Sequence, residues 1–328
     1  MSTSMLRVIN GETARELYPI ADAIPDMADA LSRFSTGQAY QHPRITADPP
    51  GHGGRVLIMP AASGDTFGLK MLSMFPRAGE KNLPGVQGVV ILLDAVHGQP
   101  LAVIDATVVT EIRTAAVSAL ATERLAPAGA TTLGVIGSGV QARGHLLGLA
   151  KVRPWESIKL YGRTAAKAHA LAEWAGEQGI KVEVVGSAAE AVRDAEVVCT
   201  VTSDSEPVLQ DGDIAGRNVH INAVGAFGAE WREAPSALVA RSRIIVDSRE
   251  SALREAGDVM IPIQEGLLGE DAIAAELGEV LAGTARGRIG DEVTFFKSLG
   301  LPIEDVVACD MVYRRAVERG AGDEISFP

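Results

Sequence analysis

The chain has 328 residues and a formal net charge of -12, so it lacks the basic surface needed to grip a phosphodiester backbone, and nucleic acid is excluded as a partner. Its composition, 47% hydrophobic and 22% charged, is that of a globular chain long enough for two cores. No window approaches ~18 uninterrupted apolar residues, and no basic stretch precedes an apolar one at the N-terminus, so neither a membrane span nor a leader is expected.

In chain order, "ELYPIADAIPDMADALSRFSTG" reads as a helix. From Ala39 to Asp105, "RVLIMPA", "TFGLKMLSMFP" and "VQGVVILLDA" are short runs rich in Val, Ile, Leu and Phe, with "HGQP" from His97 to Pro100 as a hairpin turn. These strands are expected to pair antiparallel, with the preceding helix on one face, which makes an α+β first domain. "TVVTEIRTAAVSALATERLAP" is a strong helix ending at Pro127. The texture then changes to alternating strands and helices. "TTLGVIG", "SIKLYG", "KVEVVG", "EVVCTVT", "NVHINAVG" and "RIIVDS" are apolar through their centres, as parallel strands buried on both faces must be. Their count and order fit a doubly wound, Rossmann-type sheet of the α/β class. The stretch from "VTFFKSLGLPIEDVV" onward carries helical spacing and is expected to fold back onto the first domain. The division predicted is 1–121 with 296–328, and 122–295.

The first strand of this series runs into "GSGVQARG". Gly137 permits a tight turn and Gly139 lets backbone N–H groups approach a pyrophosphate. Ala142 takes the third small position of a dinucleotide fingerprint, and Ser138, Val140 and Gln141 complete the loop at a helix N-terminus. At the end of the second strand, where an NAD-selective site carries an acid, stands Gly162, followed by Arg163 and Thr164. A cation and a hydroxyl suit a 2′-phosphate, so NADPH is expected over NADH.

Three cations of the first domain occupy odd places. Lys70 lies inside a strand, where its head group needs an anionic partner. Arg44 follows a proline at the start of an extended run. If Thr110 caps its helix, Arg113 falls in the first turn, where the macrodipole disfavours a cation by a few tenths of a kcal/mol and a bound anion would reverse that. Together they point to a carboxylate site, the alternative being that each pairs with an acid of the protein. Asp305 reads as an acid favoured at a helix N-terminus or as a second proton carrier. No cluster of His, Cys and carboxylates shows metal-ligand spacing, so no metal is expected. Cys199 and Cys309 sit in apolar runs and point to buried thiols in a reducing cytoplasm.

The ordered set "PR" at Arg44, "LK" at Lys70, "EIRTAAVSALA" around Arg113, "GSGVQA", "INAVGAF" and "EAGDV" resembles the ornithine cyclodeaminase and mu-crystallin family along essentially the whole chain. The resemblance implies a dinucleotide-binding domain inserted into an α+β domain that binds substrate and forms a homodimer. It implies that Arg44, Lys70 and Arg113 grip an α-imino or α-amino carboxylate. It also implies that Thr202 and "NAVG", Asn222, Ala223, Val224 and Gly225, line the nicotinamide, with Arg113 and Leu299 of the "KSLG" turn also at the cofactor. Cyclodeaminases and the related alanine dehydrogenases carry a catalytic Asp where this chain has Phe227, and an aromatic ring transfers no proton. That departure favours NADPH-dependent reduction of a cyclic ketimine carboxylate to L-proline or L-pipecolate, with Lys70 catalytic. An NAD-dependent cyclodeaminase or alanine dehydrogenase, and a non-catalytic NADPH- or small-ligand-binding protein, are the alternatives.

Overall fold

The computed structural model describes residues 4–81, 83–214 and 216–327. It forms two units, one made of the described residues up to Arg113 together with those from Leu301 onward, the other of Thr114–Gly300. The first unit contains strands β1 (Ser4–Ile9), β2 (Tyr40–Gln41), β3 (Ile45–Ala47), β4 (Arg55–Ser63), β5 (Thr66–Met74), β6 (Val86–Asp94) and β7 (Pro100–Asp105). The second contains β8 (Thr132–Ile136), β9 (Ser157–Tyr161), β10 (Glu183–Val184), β11 (Val197–Thr200), β12 (His220–Ala223), β13 (Arg243–Val246), β14 (Ile273–Glu276) and β15 (Thr294–Lys297). The chain then returns to the first unit with the helix Pro302–Arg319 and strand β16 (Asp323–Phe327).

The first-unit sheet runs β16-β1-β7-β6-β5-β4-β2, with β3 also on β4. β4 to β7 pair antiparallel, as their hairpin spacing requires. At the other edge β1 runs parallel to β7 and antiparallel to β16, two strands the sequence pattern leaves unassigned. Period-2 alternation buries one face of this sheet, with Leu57, Met59 and Ala61 of β4, Gly68, Lys70 and Leu72 of β5, and Val90 and Leu92 of β6. Register places Lys70 between Met59 and Val90, with Ile104 next in the row. The returning helix packs over β4 and β5, and the helix Ile20–Ser35 packs against it through Ala23, Met27, Ala30 and Leu31. Gly68 lets this helix come close, because a Cβ there would stand 2.9 Å from Leu92 and 3.0 Å from Val306.

The helix Ala106–Leu125 starts directly after β7, where Asp105 Oδ1 accepts the Val108 N–H at 2.9 Å. Arg113 therefore lies two turns inside the helix, and Thr110, itself within the helix, does not cap it as expected. The sequence pattern misplaces the start because strand and helix join without an intervening loop.

All six expected strands of the second unit are present and parallel, although β10 is only two residues long. The sheet order is β10-β9-β8-β11-β12-β15-β13-β14. The segment from Val293, read as helical, instead opens as β15 and inserts between β12 and β13. Four buried residues, Thr294 to Lys297, are too few to show a period. Cys199 in β11 and Cys309 in the returning helix are both fully buried free thiols. Among the described residues no helix is long and apolar enough to cross a membrane.

Replacing Gly68 by Val forces branched carbons into the gap beneath the returning helix. We expect a loss of ~1–3 kcal/mol in urea-monitored stability, and an unchanged midpoint would show that the helix does not depend on this approach.

Candidate active site

In the first unit, the returning helix sets two acids against Lys70 of the sheet and Arg113 of the helix Ala106–Leu125. Lys70 Nζ pairs with Asp305 at 2.6 Å, with the two side chains 1% and 0% exposed. Arg113 Nη1 donates to Glu304 at 2.6 Å and its Nε donates to Asp305 at 3.0 Å. Lys70 also reaches the Thr110 hydroxyl at 3.4 Å. Burial draws the Lys70 pKa down to about 8; Asp305 opposes that fall, while the charges of Arg113 and Arg44 add to it. Arg44 is half-buried beside β3. The structure thus brings Arg44 and Arg113 within electrostatic reach of Lys70. For Lys70 and Arg113, pairing with acids of the protein is the observed arrangement. Asp305 is more than a dipole-favoured helix acid, because it binds both cations at once.

In the second unit, parallel strands bring the expected cofactor residues, apart from Arg113, which belongs to the first unit, to one edge of the sheet at their carboxyl ends. Gly137 has φ 121°, and a Cβ there would meet the Val201 carbonyl at 2.6 Å, so the turn demands glycine. Gly139 forms the N-cap of the helix Val140–Val152, and space is open where its Cβ would stand. No acid occupies that helix's first turn, which leaves its positive end suited to an anion. Ser138 packs against Gly162, whose Cβ would lie 2.5 Å from the serine hydroxyl. Arg163 and Thr164 are exposed, and Arg163 pairs with Asp204 at 2.7 Å. Thr164 is the N-cap residue of the helix Ala165–Glu177 but accepts no capping hydrogen bond. Thr202 follows β11, Ala223 closes β12 with Val224 and Gly225 after it, and Leu299 follows β15. The residues present fit a dinucleotide. They offer an open glycine turn, an acid-free helix start and a ring of strand ends.

Several residues at this edge escape the sequence pattern. Glu233, fully buried, gathers Thr200, Thr202 and the 225–226 backbone. Lys297 and Asp258 form a buried pair at 2.9 Å. Asp247 Oδ2 accepts the N–H groups of Leu299 and Gly300 at 2.6 and 2.8 Å, which fixes the "KSLG" turn. Lys297 carries the same signal as Lys70, a lysine inside an apolar run, while the acids have none, because their partners are distant in sequence. Asn222, expected with 223–225 at the nicotinamide, instead has its side chain turned inward, donating to Thr122 at 2.9 Å and contacting His220 at 3.2 Å. Phe227 is half-buried and meets the Trp231 ring edge-on, with centroids 5.3 Å apart. Among the described residues no group of three or more His, Cys, Asp and Glu side chains has the arrangement to hold a metal ion.

The profile of the ornithine cyclodeaminase/mu-crystallin family matches residues 5–320. A Δ(1)-pyrroline-2-carboxylate reductase of Bacillus cereus is 37% identical over 325 residues, which is 98% of this chain and 99% of that protein. The ketimine reductase mu-crystallin of Rattus norvegicus is 39% identical over 295 residues, 88% of this chain and 90% of that protein. The Thermococcus litoralis Δ(1)-pyrroline-2-carboxylate reductase, whose structure is a complex with NADH and L-proline, superposes with a TM-score of 0.93 at 35% identity, covering 97% of this chain and all of that one.

The lowered Lys70 pKa has a measurable sign. Between about 8 and the ~10.4 of an unfolded lysine, the unfolded chain binds a proton that the folded chain does not, so stability rises with pH. The unfolding free energy of the native chain should therefore climb relative to that of Lys70→Met across this window, by up to ~1.4 kcal/mol per pH unit in urea titrations. A difference independent of pH would place Lys70 at its ordinary value.

Proposed function

We infer the reaction from the premise that the chain belongs to the ornithine cyclodeaminase/mu-crystallin family. It is an oxidoreductase that reduces a cyclic ketimine carboxylate, Δ1-pyrroline-2-carboxylate or Δ1-piperideine-2-carboxylate, to L-proline or L-pipecolate. The observation that carries this reading is the buried lysine with a pKa near 8, set among two arginines and two acids on the sheet of the first unit.

Arg44 and Arg113 hold the substrate carboxylate. A guanidinium has five N–H donors in a fixed fork, so Arg113 has the capacity to bind a substrate carboxylate alongside acids of the protein. Lys70 gives the proton. Near neutral pH it is charged, yet its ammonium is far more acidic than an exposed one, which suits it to protonating the ring nitrogen. Asp305 holds Nζ in place. When bound, the nicotinamide supplies the hydride that becomes the new C2–H bond. One hydride and one proton then account for the conversion of C=N to CH–NH. Phe227 offers no acid or base for the ammonia-releasing steps of a cyclodeaminase, which supports simple reduction.

The glycine turn Gly137–Gln141 would hold the pyrophosphate, while Thr202 and the 223–225 backbone would line the nicotinamide. NADPH is the preferred cofactor in this reading. Arg163 follows Gly162 in place of an acid, and its pair with Asp204, 77% and 38% exposed, is worth only ~0–1 kcal/mol, readily exchanged for a 2′-phosphate. The molecule works in the cytoplasm as a homodimer. Half-exposed Ile58, Leu69, Val89, Ile91 and Val103, with exposed Met71, line the sheet face opposite the returning helix, and a second copy would cover them.

Mixing the protein with NADPH and either ketimine near neutral pH should consume the cofactor absorbance, and the rate should fall as pH rises through about 8, where Lys70 loses its proton. Lys70→Met should lose ~10²–10⁴-fold in kcat with NADPH affinity retained; equal losses in both would remove Lys70 from the chemistry. Ammonia release from ornithine would restore the cyclodeaminase reading, and tight NADPH binding without turnover the binding-protein one. Arg163→Ala should raise KM for NADPH while leaving that for NADH within about twofold; matched changes would overturn the 2′-phosphate assignment.

A further inference from the structure

A densely connected buried carboxylate of the second unit plays no part in the chemistry above. Glu233 Oε1 accepts the Thr202 N–H at 2.9 Å and the Thr202 hydroxyl at 2.7 Å. Its Oε2 accepts the Thr200 hydroxyl at 2.9 Å and the N–H groups of Gly225 and Ala226 at 2.6 and 3.4 Å. From the other side, Lys297 Nζ donates to the Ala226 carbonyl and pairs with Asp258, whose Oδ1 accepts the N–H groups of Glu233 and Ala234 at 2.8 and 3.1 Å. Glu233, Asp258 and Lys297 are all 0% exposed. The loops they join are in backbone contact, since a Cβ on Gly225 would stand 2.1 Å from the Thr202 carbonyl oxygen.

Three buried charges are an expensive way to join two loops that apolar packing could join. Their arrangement has a chemical result that packing lacks. Every group facing Glu233 in these contacts is a donor, so the carboxylate can only accept, and the Thr202 hydroxyl proton is committed to it. A hydroxyl whose proton is so engaged presents only lone pairs elsewhere; one of the two on Thr202 meets the Asp204 N–H at 3.4 Å, and the other is left for a ligand donor.

We propose that Glu233 is a positioning residue that fixes Thr202 as a hydrogen-bond acceptor, and that Thr202 thereby selects a coenzyme bearing a donor, the carboxamide NH₂ of nicotinamide. The inference rests on the dinucleotide reading of this edge. The charge network holds both the place of the hydroxyl and the direction of its proton. Glutamine at 233 would turn an NH₂ group toward one set of these donors and release the constraint.

The test compares NADH with its 3-acetylpyridine analogue, in which a methyl group replaces the carboxamide NH₂, and uses ADP-ribose, which lacks the ring, as a competitive inhibitor. The native protein should prefer NADH in kcat/KM by about tenfold, the scale of one unmade buried hydrogen bond. Thr202→Val and Glu233→Gln should bring the two within about threefold while ADP-ribose inhibition is kept, and Thr202→Ser should restore the preference. A preference unchanged in Thr202→Val, or ADP-ribose inhibition lost in step with it, would overturn the proposal. If Glu233→Gln fails to fold, Glu233→Asp takes its place, and retention of the full preference there would count against a fixed geometry. A native protein inhibited by ADP-ribose but without preference refutes this inference alone, whereas one that binds neither coenzyme nor ADP-ribose refutes the dinucleotide reading and the inference with it.

Discussion

The first unit is organised by the need to neutralise the cations it buries, Lys70 on the sheet and Arg113 on the helix that follows β7. Lys70 stands in a row with Met59, Val90 and Ile104, where an unpaired ammonium would cost several kcal/mol in desolvation. Its partner Asp305, which Arg113 shares, belongs to a helix 192 residues beyond that arginine. The first 113 residues therefore hold the positive half of a charge cluster whose negative half arrives only after the whole second unit has been traversed. Gly68 makes room for that arrival, and Ile303 N–H reaches Gln41 at 3.4 Å as the helix begins. Insertion of one unit into another is thus tied to electrostatics. The returning segment is needed for charge balance as well as for covering the sheet.

The second unit uses the same physics to another end. Glu233, Asp258 and Lys297 share a buried region in which burial pushes the Glu233 carboxyl up while Lys297 pulls it back. There the charges hold backbone, whereas in the first unit they tune a proton. The two fully buried histidines are a useful contrast. Burial lowers His145 to about 4 and His220 to about 3, so both stay neutral at physiological pH and serve as hydrogen-bonding spacers, His145 to Ser118 and Gln141, His220 to Thr294 and Asn222. Lys70, drawn down to about 8, lies nearer the working range of proton transfer than either histidine.

What the sequence made legible follows from the range of each signal. The glycine turn could be read because its requirements are local: a positive φ at Gly137, an open Cβ position at Gly139 and a helix immediately after. Lys70 could be found because a lysine amid Phe, Leu and Met breaks a pattern. Its partner could not, because Asp305 in "PIEDVV" looks like any acid at a helix start, and only the fold shows what lies opposite. The start of the helix at Ala106 was hidden by a strand that continues into it, its cap being the strand's last residue, Asp105. β15 was hidden by its length, and β1 and β16 by lying at an edge where pairing rather than side-chain pattern defines the strand. Local chemistry survives translation from sequence, while long-range compensation does not.

The two cysteines have a use unrelated to catalysis. Cys199 lies in the central β11 of the second unit and Cys309 on the helix that closes the first, each fully enclosed and each with a thiol that burial pushes well above its ordinary pKa. Neither reacts readily while its surroundings hold together. The chain therefore carries one native reporter per unit, and the order in which the two become reactive in denaturant distinguishes a molecule that opens one half at a time from one that opens as a whole.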